Sequence, residues 1–183
     1  MLRLTNLANK YQRRTLRVLY GQTQGYPYDV QLSSAFDRAA GALSGGTAIT
    51  GAKAAILPGL VATKLAGEVV TVAGATDTER SFGLFANFVG GEMTDIPSDF
   101  DRVGVWRGIG SVYEILAPAF DDTGLSTAAA AEDGTDETET YLKPSAKGQL
   151  VLVATGSPGY ALGDTARLMQ RLSSSAIVVE LLV

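Results

Sequence analysis

The residues with the densest potential for chemistry are the carboxylates Asp121, Asp122, Asp133, Asp136 and Glu137, which fall in one stretch and offer the oxygen donors that a hard cation takes. An EF-hand loop needs acidic or amide groups at alternating positions, a central glycine and a closing glutamate. Asp133-Gly134-Thr135-Asp136-Glu137 does not keep that order. The stretch 121–140 also carries alanines at 128–131 followed by the charged run Glu132 to Glu139. That composition reads as a mobile, solvated surface loop in preference to a calcium site.

Paired carboxylates also hydrolyse glycosides, but Glu68, Glu92 and Glu114 each stand alone in strand-like or turn-like settings. The chain has no histidine and no cysteine. The commonest general base, the commonest metal ligand and every thiolate function are therefore missing, which excludes serine–histidine chemistry and HExxH zinc sites. Lysine and tyrosine still serve as bases, so the absences alone do not dispose of catalysis. Glycine-rich loops fare no better. Gly108-Ile109-Gly110 runs into Ser111-Val112-Tyr113 without the third glycine of a dinucleotide loop, and neither 41–51 nor 156–163 ends in G-K-[ST]. The chain reads as a non-enzyme with no cofactor.

The elements that must carry these residues are strands. A length of 183 residues suits one domain with an appendage, and 21 glycines with few charges imply many turns. Apolar and β-branched runs at Val61–Leu65, Glu68–Val72, Phe82–Val89, Gly104–Arg107, Ser111–Leu116, Gln149–Ala154 and Ala176–Val183 predict short strands, with Leu57-Pro58-Gly59 as a turn. Gly108-Ile109-Gly110 predicts a tight hairpin joining Gly104–Arg107 to Ser111–Leu116. Two short helices fit helical spacing, one within Leu32–Leu43 and one over Asp164–Leu172 with Asp164 as cap. The fold class expected is mainly β, a small barrel or sandwich with at most one or two short helices.

Charge divides the chain. Residues 1–20 carry Arg3, Lys10, Arg13, Arg14 and Arg17 and no acid, a charge of +5, which leaves −9 on the rest of a chain whose net charge is −4. Two readings stand: the arm packs on its own acidic body, or it clamps an acidic partner surface. Tyr11 and Tyr20 suit protein contacts, and stacking on bases ranks behind because the acidic body opposes a phosphate backbone. Four of the five cations are arginines, which make bidentate contacts to carboxylates. The partner-binding set is thus Arg3, Lys10, Tyr11, Arg13, Arg14, Arg17 and Tyr20. The division expected is a basic arm and strap over 1–49, the strap holding little core, and a β-rich body over 50–183. The amino terminus lacks an apolar signal region, so the protein is expected to stay in the cytoplasm where it is made. No stretch reaches the roughly 18–20 apolar residues of a membrane span.

The order of these features resembles the head decoration, or cement, proteins of tailed bacteriophages. The resemblance covers roughly 50–183 and rests on Ile56-Leu57-Pro58-Gly59, Gly67-Glu68-Val69-Val70, Phe82-Gly83-Leu84-Phe85-Ala86-Asn87-Phe88-Val89, Val103 to Gly108, Val112 to Pro118 and the closing strand Ile177 to Val183. It implies a β-barrel or β-tulip body with an extended arm, seated on the exterior of an icosahedral capsid. It further implies a homotrimer that bridges major capsid protein subunits and stabilises the expanded shell, touching neither nucleic acid nor membrane. A tail or head-completion subunit is the alternative, and a carbohydrate- or phosphoester-acting enzyme stands behind it.

Overall fold

The computed structural model describes residues 15–20, 27–32, 36–37, 42–43, 55–64, 69–72, 81–86, 89–90, 102–125, 139–153 and 164–183. The protein is mainly β. In chain order the strands begin β1 (Leu16–Tyr20), β2 (Tyr28–Leu32), β3 (Phe36–Asp37), β4 (Ala42–Leu43) and β5 (Ala55–Ile56). They continue with β6 (Val61–Lys64), β7 (Val69–Val72), β8 (Ser81–Phe85), β9 (Val89–Gly90) and β10 (Arg102–Trp106). The last are β11 (Val112–Leu116), β12 (Tyr141–Pro144), β13 (Leu150–Leu152), β14 (Ala166–Ser173) and β15 (Ala176–Leu181).

Two assemblies matter. Strands β10, β2, β7, β6 and β8 close a barrel, in which only the β2–β7 pair is parallel. A six-stranded antiparallel sheet runs β1-β11-β15-β14-β12-β13. Strict alternation sets its inner face: Tyr113 and Ile115 of β11 and Ile177, Val179 and Leu181 of β15 are buried, while Val112, Glu114, Val178 and Glu180 turn outward. Leu57, Leu60, Leu84 and Phe85 from the barrel side join them in one core. Each such fully buried side chain contributes about 1.5–3 kcal/mol relative to exposure. A backbone bond stitches barrel to sheet, Val61 N donating to Gly148 O (2.8 Å), and on the barrel side Gly59 N donates to Phe85 O (2.8 Å).

Three expectations are corrected. Asp164–Leu172 is no helix: Ala166–Ser173 is a strand held between β12 and β15. Backbone groups that two neighbouring strands satisfy have no need of a helical ladder, and Met169 and Leu172, expected to face inward, are exposed. Within Leu32–Leu43, Leu32 ends a barrel strand and Phe36–Asp37 pairs antiparallel with Ala42–Leu43. The third is the hairpin joining Gly104–Arg107 to Ser111–Leu116. Both edges of β10 are taken by β2 and β8, and both edges of β11 by β1 and β15. The turn between them therefore carries the chain from barrel to sheet, helped by positive φ at Gly108 (130°) and Gly110 (84°).

Within 20–50, the described residues include a strand of the barrel, β2. Leu32 is buried, and Val30 packs on the core. β1 is likewise a sheet strand in register with β11, Leu16 opposite Ile115. The turn expected at Leu57-Pro58-Gly59 forms, with Leu60 N donating to Leu57 O (3.1 Å) and Gly59 at φ 92°.

Candidate functional site

Of the residues assigned to partner binding, Arg3, Lys10, Tyr11, Arg13 and Arg14 lie outside the described residues, whereas Arg17 and Tyr20 sit on β1. Arg17 lies opposite Glu114, with Nη1 3.5 Å from Oε2, and its side chain is 74% exposed. A contact that open to water contributes little stability and leaves the guanidinium accessible. A register shift between Val18 and Tyr20 sets Tyr20 opposite Val112. Val112 and Glu114 share a face of β11, so the shift brings Tyr20 onto the same outer face as Arg17. Tyr20 is itself 74% exposed.

The opposite end of β1 is fastened. Thr15 is buried and its hydroxyl donates to Pro58 O, while its carbonyl accepts from Leu116 N (2.8 Å). A Cβ added to Gly59 would stand 3.3 Å from Thr15 O and 3.3 Å from Ala119 Cβ, so glycine is what lets the three segments close up. This anchor sits immediately after the basic run. The sequence signal for it is faint, a lone threonine between Arg14 and Leu16.

The carboxylates at the two ends of 121–140 that are described face protein partners. Asp122 takes a bidentate contact from Arg171, Nε and Nη2 each at 2.7 Å, and that contact holds its carboxyl below the ordinary aspartate value. Asp121 accepts from Thr123 Oγ1 (2.7 Å) and Thr123 N (3.0 Å), which lower its value in turn. Glu139 accepts from the Tyr141 hydroxyl and from Arg167, which also reaches Glu180 at 2.5 Å. The Tyr141 bond is the larger cause of the lowered Glu139 value, and the same bond raises the Tyr141 phenol. Among the described residues no cluster of acidic side chains has the arrangement of a metal site.

Edges complete the picture. At β13, Phe120 bridges Leu150, with Leu150 N donating to Ala119 O (3.2 Å) and Asp121 N to Leu150 O (2.9 Å), so that edge of the sheet is covered. At the other edge, no described strand pairs with the outer side of β1.

A family model described as phage cement protein matches residues 1–182, and the chain belongs to that family. The match includes the basic arm as well as the body. No match to a curated protein or to a solved structure was found. Family membership gives the protein a structural, capsid-stabilising role as a component of the virion, associated with the exterior of the capsid shell. The family is a structural one and not an enzyme family.

Proposed function

We propose that the protein stabilises the expanded shell by bridging neighbouring major capsid protein subunits, its body seated on one and its amino-terminal arm reaching another. The observation that carries this reading is the fastening at Thr15, which gives the arm a fixed origin on a rigid body. Fourteen residues precede it. Fully extended, they would span at most roughly 50 Å, enough to leave the footprint of a domain this size. Arg3, Lys10, Tyr11, Arg13 and Arg14 are the arm's contacts in this reading, with Arg17 and Tyr20 at its root. The arginines meet carboxylates on the shell, and the ordering entropy of the arm is offset by those charge-assisted contacts. Self-association as a homotrimer belongs to the same proposal, as does the absence of catalytic turnover.

The test is a truncation at the fastening. A chain beginning at Thr15 keeps β1 and is expected to fold with an unchanged circular dichroism spectrum, while its co-sedimentation with expanded shells falls sharply. Cutting at residue 20 instead would delete an edge strand of the six-stranded sheet and confuse binding with folding. Undiminished occupancy by the chain from Thr15 would refute the arm's role.

A further inference from the structure

The three most exposed large hydrophobic side chains among the described residues are Ile109 (80%), Tyr20 (74%) and Tyr28 (58%), and the pairings bring them to one end of the molecule. Tyr20 lies opposite Val112, two residues after Gly110, and Tyr28 lies opposite Val105, three residues before Gly108. Ile109 is the tip of that turn. Arg107, beside it, stacks its guanidinium 4.3 Å from the Phe82 ring centroid and 5.8 Å from that of Tyr28. Single exposed hydrophobics are ordinary on a protein surface, but the foremost three gathered around one turn are not.

The turn is held rigidly. Gly108 N donates to Val183 O (3.0 Å), Gly110 N to Leu181 O (2.9 Å), and Leu181 N to Ser111 O (2.8 Å). An isoleucine left exposed on a pinned backbone costs little further ordering entropy when it is buried by a partner. The nearby carboxylates are already matched, Asp29 by Arg102 (2.7 Å) and Glu180 by Arg167 (2.5 Å). What the apex offers is therefore aromatic and aliphatic surface plus an arginine on aromatic faces, the residue types that anchor protein interfaces.

The geometry points to this apex, Tyr20, Tyr28, Arg107 and Ile109, as the surface by which the body docks on the outer face of the capsid shell. The inference rests on the reading of a shell-bound body and names the surface that reading left open. Shell association is the contact that the family supplies for an exposed apolar surface. The shell is expected to present an apolar pocket for Ile109, with acceptors for the two phenols.

The experiment uses the full chain and expanded empty shells assembled from the major capsid protein of the same phage. In one arm, Ile109→Ser alone and the triple variant Tyr20→Ser, Tyr28→Ser, Ile109→Ser are titrated onto shells, with melting curves and sedimentation velocity alongside. The triple variant is expected to lose at least about tenfold in affinity and Ile109→Ser a smaller part of it. In the other arm, a photoreactive benzoylphenylalanine replaces Ile109 and is expected to cross-link to the capsid protein. Wild-type binding with equal binding by Ile109→Ser and no capsid cross-link overturns the apex while leaving the shell reading intact. No binding by wild-type protein overturns both. Cross-linking of one copy to another, with self-association lost in the variants, assigns the apex to self-contact and overturns the proposal. The single substitution at an 80% exposed position keeps the test valid should the triple variant fail to fold.

Discussion

The two ends of β1 are built in opposite ways. At its start Thr15 is buried, bonded through its hydroxyl to Pro58 O and through its carbonyl to Leu116 N, and packed close to Gly59, where an added Cβ would stand 3.3 Å from Thr15 O. At its finish Tyr20 stands exposed beside a turn whose tip, Ile109, is more exposed still. The chain thus passes from a fastened base at Thr15 to a presented tip at Tyr20 within a single strand's length. The difference separates stability from the proposed binding: the base holds the molecule together, and the exposed tip lies in the proposed docking surface.

That contrast can be broken by substitution. Gly59→Ala is expected to have the largest effect on stability, about 1–3 kcal/mol, because a residue at φ 92° is strained and its Cβ meets Thr15 O at 3.3 Å. Thr15→Val, which removes the hydroxyl and leaves Pro58 O without that donor, is expected to cost about 1 kcal/mol or somewhat more. Tyr20→Ser and Ile109→Ser are expected to change stability by about 0.5 kcal/mol or less, within the range of surface substitutions. Denaturant melts of the four variants check the ordering. Equal losses at base and tip would end the contrast.

A smaller effect sharpens it. Asp122 and Arg171 form a further fastening at the base end, near the β14–β15 turn where Ala117 N donates to Ser175 O (3.0 Å). Because the bond to Arg171 lowers the folded Asp122 value, its contribution is complete above the ordinary aspartate range and is lost as pH falls through the lowered value. Arg171→Gln is therefore expected to melt slightly below wild type at neutral pH, with the gap closing in acid. A gap that widens in acid would contradict the assignment.

Much of this was legible in the sequence. The turn at Leu57-Pro58-Gly59, the strands at 61–64, 69–72, 112–116 and 176–181 and the mainly β class follow from period and turn residues. β14 was illegible for a physical reason. Register shifts between Leu168 and Gln170 and between Arg171 and Ser173 break the period of two, leaving Leu168, Met169 and Leu172 at a spacing that imitates a helix. The turn at 108–110 showed its glycines but not its destination, because whether a turn pairs its flanks or changes sheet depends on which edges other strands have already taken. The residues proposed for binding and for its anchor divide similarly. Arg17 stood out by charge, whereas Thr15, Arg107 and Ile109 matter through neighbours distant in sequence, such as Pro58, Phe82 and Leu181.

The bridging account is tested most directly by the temperature at which expanded shells come apart, measured with and without saturating protein. Bridging predicts that full-length protein raises that temperature and that the chain beginning at Thr15, added until it occupies the shell equally, raises it much less. Full occupancy by full-length protein with no change in the dissociation temperature would contradict it.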